Sequence, residues 1–169
     1  GKITLTAAGA AAGVASNDYE TGSNSFSLSV QAGDAAGNWS TATNVTLAVT
    51  NVNEAPSLTF AGTVATIEAG TATAGMTVTD ANGADPDAGA VLTYSPTNNP
   101  DGYYAIDSNS GVVTLTQAGA DLVNGGGSLP AVQVTVADQG GLTAAGSVSV
   151  GTGADATAPV VAVGQTFNY

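Results

Sequence analysis

The chain has 169 residues and a formal net charge of −12, with thirteen acids facing one base, Lys2, and neither His nor Cys. That inventory excludes Ser-His and Cys-His nucleophile pairs, zinc cages and thiol redox sites, and a single cation cannot neutralise a phosphate backbone, so no nucleic acid is expected as a partner. Only 8% of the residues are charged but 43% are hydrophobic, which is enough to build a core, and no apolar run approaches the ~18 residues that membrane insertion requires.

The sequence opens on strand-like Ile3-Thr4-Leu5-Thr6 with no secretory leader before it, which reads as a mature product or a piece of a longer chain. Residues 7–12 are rich in alanine, but Gly9 and Gly13 interrupt them and no cap precedes them, so a loop is expected there. Phe26, Leu28 and Val30 then alternate with serines, and Val45, Leu47 and Val49 alternate with small residues. Period-two alternation puts one row of side chains in a core and the other in water, as in an antiparallel sheet with one wet face. Gly37-Asn38 supplies the turn between these strands, and Trp39 beside it is expected to pack on its own sheet.

Further strands are expected near 57–60, 64–68, 75–80, 91–95, 103–107, 111–116, 131–137 and 144–150. Their core rows are Leu58, Phe60, Ile67, Met76, Val78, Leu92, Tyr94, Tyr104, Ile106, Val113, Leu115, Val132, Val134, Val136, Val148 and Val150. No segment shows a capped helical stripe. Asn124-Gly125-Gly126-Gly127 reads as a loop, and Gly140-Gly141 as a hairpin turn.

The sequence repeats itself. Gly1-Lys2-Ile3-Thr4-Leu5-Thr6 returns as Gly111-Val112-Val113-Thr114-Leu115-Thr116, Val30 to Asp34 returns as Val134 to Asp138, and Ala55-Pro56 returns as Ala158-Pro159. Three matches in one order define a tandem array of β modules. The expected division is the C-terminal half of a module over 1–55, a complete module over 56–158 and the first strand of another over 159–169. About seven short strands in about 100 residues suggest an all-β, immunoglobulin-like Greek-key sandwich.

The acids gather at strand ends and module junctions. Carboxylates, Asn side chains and carbonyls are hard oxygen ligands, and a cluster of acids without bases repels itself unless a cation such as Ca²⁺ enters. The plainer alternative is an acidic surface kept soluble by net charge. Asp85 and Asp87 as a catalytic carboxylate pair would need a sugar cleft, which the sequence does not suggest, so no enzyme is expected. Asn38-Trp39-Ser40 and Asn44-Val45-Thr46 are glycosylation sequons of a kind that arises by chance in such a composition. Gly151 to Asp155 is like one turn of a calcium-binding β-roll, but a single copy cannot stack.

The ordered set Asp18-Tyr19-Glu20, Val30 to Asp34, Asn51-Val52-Asn53-Glu54-Ala55-Pro56, Ile67-Glu68, Asp85-Pro86-Asp87 and Val136-Ala137-Asp138 resembles cadherin repeats. The short linker and the Arg-free, Ala/Gly/Thr/Ser-rich composition are similar to the cadherin-like repeats of large bacterial extracellular adhesins. The resemblance implies Ca²⁺ between successive modules. It places Asp18, Glu20, Asn51, Asn53, Glu54, Asp85, Asp87 and Asp138 at the main junction. Glu68, Asp121 and Asp155 would form a weaker second set, in which Ala156-Thr157 replace an Asn-Glu pair, and Asp34 would serve an upstream junction. It further implies an extracellular location, at the cell surface or secreted, and a structural role in adhesion. The partners would be neighbouring modules of the same or an identical chain, with a surface glycan or protein as a possible ligand. Two alternatives remain: a filament subunit joined by β-strand complementation through 159–169, and a module that recognises a sugar or peptide.

Overall fold

The computed structural model describes residues 18–64 and 66–156. The expected strand and loop in the first seventeen residues, and the expected strand over 159–169, lie outside the described residues. The chain divides into two compact units, one of residues 1–54 with 86–88 and one of 55–85 with 89–169.

In the first unit, β1 (Ser25–Val30) pairs antiparallel with β2 (Thr43–Ala48). The register sets Phe26 opposite Leu47 and Leu28 opposite Val45, so the two alternating rows meet on one face. Gly37 turns the chain with a φ of +89°, a conformation that costs glycine nothing. The Trp39 ring lies over Gly33, about 3.0 Å from where a Cβ would stand. It therefore covers its own hairpin, as expected, yet it stays 69% exposed.

The second unit is a sandwich of two sheets. One carries β3 (Ser57–Ala61), β5 (Thr77–Ala84), β8 (Val112–Leu115) and β7 (Tyr104–Ile106) in the order β3-β5-β8-β7. The other carries β10 (Thr143–Val148), β9 (Val132–Ala137) and β6 (Thr93–Pro96) in the order β10-β9-β6. The pairs within these sheets are antiparallel. A short β4 (Thr66–Glu68) pairs in parallel with β11 (Gly151–Gly153). Strand neighbours that are distant in sequence give the unit its Greek-key character.

Every residue of the expected core rows packs in this core or against it, including Val78, Val113, Leu115, Val132, Val134 and Val136, each no more than 2% exposed. Burying one such Val or Leu side chain is worth about 1.5–3 kcal/mol. The sheets approach closely where side chains are absent: a Cβ on Gly83 would meet Leu92, the Tyr94 hydroxyl and Val136 at 2.8–3.1 Å. The Tyr94 hydroxyl accepts a hydrogen bond from the Gly83 amide at 2.9 Å. A register shift in β5 buries Val78 and Thr79 in succession. The Thr79 hydroxyl is satisfied by the Thr63 hydroxyl at 2.8 Å and the Ala61 carbonyl at 3.2 Å.

Two expectations are corrected. First, a helix is present: α1 spans Gln117–Asn124, with Thr116 as its N-cap accepting from the Gly119 amide. Its Ala120 and Val123 enter the core, which the alternation of the flanking strands does not reveal. Gly119 sits inside it because a Cβ there would stand 2.4 Å from the Tyr103 carbonyl oxygen. Second, the strand expected over 144–150 breaks after Val148. The chain resumes as β11 on β4, so Gly151 to Gly153 is a pairing strand and not a β-roll turn.

Candidate metal centre

In the first unit, Glu20, Glu54 and Asp87 each offer a carboxylate oxygen, and these atoms lie within 4.8 Å of one another. Glu20 belongs to the tight turn that starts at Asp18. Its amide donates to Asp18 Oδ1 at 2.9 Å, and the Gly22 amide donates to the Asp18 carbonyl at 2.7 Å. Glu54 comes from the segment after β2. Asp87 arrives on the Pro86–Ala88 excursion, which belongs to this unit.

Asp87 is 8% exposed and holds the segment between the strands in place. Its Oδ1 accepts from Asn51 Nδ2 at 2.6 Å, and its Oδ2 accepts from the Glu54 amide at 2.9 Å. Asn53 Nδ2 donates to the Glu54 carbonyl at 3.3 Å. Asp18, Tyr19, Glu20, Thr50, Val52, Glu54 and Pro86 line a groove at this place.

The charges interact. Desolvation raises the Glu20 carboxyl above its ordinary value, its hydrogen bond with Asp18 adds to this, and the Glu54 and Asp18 charges push in the same direction. Asp18 is lowered, first by the Thr21 side chain and then by the Glu20 amide. No Lys, Arg or His lies among the described residues to offset these acids. A hard cation satisfies such a set: it removes the carboxylate repulsion and suits an all-oxygen donor group. The residues therefore fit Ca²⁺.

The other expected ligands are distributed as follows. Asp85 and Asp138 belong to the second unit. Asp138 is 6% exposed at the β9–β10 turn, where its Oδ1 accepts from the Leu142 amide at 2.8 Å. Asp34 performs the same task between β1 and β2, and both of its carboxylate oxygens accept hydrogen bonds from Asn38 at 2.8 Å. Asp121 lies exposed on α1 and accepts from Gln117 Nε2 at 2.8 Å. Glu68 Oε1 accepts from the Ala156 amide at 2.5 Å. Asp155 lies against Gly70. Tyr19, Val52 and Pro86 also wall the groove, and since they carry no charge nothing in the sequence marks them as part of a cation site.

No protein-family model matches the sequence, and no curated protein matches it. Its fold is similar to that of solved cadherin domains. Protocadherin Gamma B7 extracellular cadherin domains 1–4 align with a TM-score of 0.61 and 19% identity, over 82% of this chain and 34% of that one. Protocadherin Gamma B2 extracellular cadherin domains 3–6 align with a TM-score of 0.59 and 16% identity, over 80% of this chain and 32% of that one. Human CDH23 EC21–23 aligns with a TM-score of 0.51 and 23% identity, over 81% of this chain and 45% of that one. The chain thus spans between about a third and under half of these structures. The fold is an all-β, cadherin-like β-sandwich with one short helix among the described residues.

Proposed function

We propose that this chain is a calcium-stiffened structural segment of an extracellular adhesin or surface fibre, built from cadherin-like modules and without enzymatic activity. The observation that carries the reading is the convergence of Glu20, Glu54 and Asp87 with no basic residue among the described ones. In this reading the three carboxylates hold Ca²⁺, with Asp18, Asn51 and Asn53 beside them in the chain. The ion would supply positive charge where the acids repel one another. Asp87, braced by Asn51 and the Glu54 amide, would keep the segment after β2 in one conformation. A bacterial source is favoured by the composition, which has one Lys and is rich in small residues.

Calorimetric titration of the full chain with calcium chloride tests the reading. Saturable binding that chelator abolishes is the expected outcome. Absence of binding at millimolar calcium overturns it and leaves the acids as a solubilising surface.

A further inference from the structure

Strand β11 and the residues after it are fastened to β4 by a succession of contacts. Gly151, Thr152 and Gly153 pair with Thr66, Ile67 and Glu68. The Ala69 amide donates to the Gly153 carbonyl at 2.9 Å. The Asp155 carboxylate lies over Gly70, where a Cβ would come within 3.4 Å of its Oδ2. The Ala156 amide then donates to Glu68 Oε1 at 2.5 Å.

The loop that receives these contacts is itself anchored. The Glu68 carbonyl accepts from the Thr71 hydroxyl at 2.7 Å and the Thr71 amide at 3.1 Å. Asn124, the last residue of α1, grips the same loop from the other side. Its Oδ1 accepts from the amides of Gly70 and Ala72 at 2.9 and 3.2 Å, and its Nδ2 donates to the Ala72 carbonyl at 2.9 Å. A side-chain amide suits this arrangement because it carries an oxygen acceptor and an NH₂ donor side by side on one carbon. Ala69 and Ala72 are buried at 6% and 5% exposure, so the loop is packed as well as bonded.

We propose that Glu68 and Asn124 form a metal-independent latch that sets the direction in which the chain leaves β11. By resemblance, Glu68 is grouped with Asp121 and Asp155 as a second cation set. The geometry gives Glu68 a different task, because one of its carboxylate oxygens already serves a backbone amide of the departing segment. Asp121 is engaged along its own helix by Gln117. Among the described residues, the group of three acids close enough to share an ion lies in the first unit and does not include Glu68. A hydrogen bond from a backbone amide to a carboxylate is stronger than one to a neutral acceptor, and it needs no ion to hold a short segment. The latch stands whether or not the first unit binds calcium.

Amide hydrogen exchange measured by NMR on the full chain tests it. Glu68→Gln keeps an oxygen acceptor but removes the negative charge that strengthens calcium binding, whereas Glu68→Ala removes both. Exchange at the Ala156 amide should be protected in the parent protein and accelerate about tenfold or more in Glu68→Ala. It should change no more than about threefold in Glu68→Gln, and it should be the same in calcium and in chelator. Asn124→Ala should accelerate the Gly70 and Ala72 amides together with Ala156. The β9 amides report whether each variant is folded, and the chelator arm needs no variant at all. Acceleration at Ala156 by chelator alone, or equal effects of Gln and Ala at position 68, would make Glu68 a metal ligand and overturn the latch. An unprotected Ala156 amide in the parent would do the same. Loss of calcium binding in the first unit leaves these readings unchanged, so the two proposals fail separately.

Discussion

Asp34 and Asp138, a little over 100 residues apart in the chain, build the same hairpin turn. Each backbone amide donates to the carbonyl four residues on, Asn38 or Leu142, at 3.0 Å. Each Oδ1 accepts from the amide of that same residue at 2.8 Å. The glycine before it, Gly37 or Gly141, has a φ of +89° or +88°. The sequence repeat is thus matched by a repeat of hydrogen bonds, and an acid followed four residues later by a turn exit is its most compact signature. The shared geometry also gives both aspartates a structural task apart from any ion.

Calcium should raise the melting midpoint of the full chain. A ligand that binds only the folded state adds about 2.7 kcal/mol at one hundred times its dissociation constant. Scanning calorimetry with calcium, with chelator and with an equal ionic strength of sodium chloride separates binding from screening. An equal gain in sodium chloride would assign the effect to net charge.

Asp87→Ala removes a carboxylate that both joins the acid group and braces Asn51 and Glu54. Calcium affinity should fall about tenfold or more, since each 1.4 kcal/mol is a factor of ten. Asp107→Ala is the matched control. That carboxylate caps the turn before β8, accepting from the Asn109 amide and from the amide and hydroxyl of Ser110 at 2.8–3.0 Å. It should lower the melting midpoint while leaving calcium affinity within about twofold, well under 1 kcal/mol. Equal losses of affinity in the two variants would show that overall charge governs binding.

Acid should weaken both turn aspartates. Asn38, through its side chain and then its amide, holds Asp34 below the ordinary carboxylate value, and the Ser110 amide and hydroxyl do the same for Asp107. A carboxyl whose folded pKa is depressed contributes its stability above the unfolded value of about 3.9, and that contribution fades as pH falls through the folded value. Glu20 has the opposite sign, because its raised pKa makes its charge a cost that protonation relieves. In chelator, melting midpoints should therefore change little from pH 7 to pH 5 and fall below pH 4. Carboxyl titration by NMR should show Asp34 and Asp107 protonating below the ordinary aspartate value of about 3.9.

Tyr104 should titrate late. Burial pushes its phenol up to about 12, and its hydroxyl donates to the Pro130 carbonyl at 2.6 Å. With the folded pKa above the unfolded value of about 10, this contribution is complete below pH 10 and is lost as pH rises toward the folded value. Tyr104→Phe should cost about 1 kcal/mol at neutral pH. Ultraviolet titration and denaturant melts check both statements, and a titration midpoint near 10 would contradict the burial argument.

Gly111→Ala should be among the most damaging substitutions of a small residue in the second unit. Gly111 has a φ of +80°, and a Cβ there would stand 2.1 Å from the Ala81 carbonyl oxygen. Gly126 has a φ of +81° but nothing within 4 Å. Gly126→Ala should cost about 1 kcal/mol and Gly111→Ala about 3 kcal/mol or more. Similar losses in the two variants would mean that strain alone, and not the close approach of β5, decides the position.

The strands, and the core of the second unit, were legible in the sequence because alternation is a local property; in the first unit the alternation places β1 and β2, but Leu28, Val30 and Leu47 stay 37–41% exposed instead of entering a core. A row such as Val132, Val134 and Val136 can face only one side of a strand, and all three are buried. The helix over Gln117–Asn124 was not legible, although Thr116 before it and Gly125 after it are reasonable caps. Its eight residues contain a glycine, and what stabilises it is burial of Ala120 and Val123 and the close approach of Gly119 to the Tyr103 carbonyl, all of which are tertiary. The acids behaved similarly. Composition alone determined that they have no basic partners beyond Lys2 and that oxygen ligands are abundant. Only the path of the folded chain decided that Glu20, Glu54 and Asp87 converge, while Asp34 closes a turn, Asp121 pairs along a helix and Glu68 receives a backbone amide. A carboxylate can cap, pair or ligate with the same atoms, and which of these it does depends on what the fold brings within hydrogen-bonding distance.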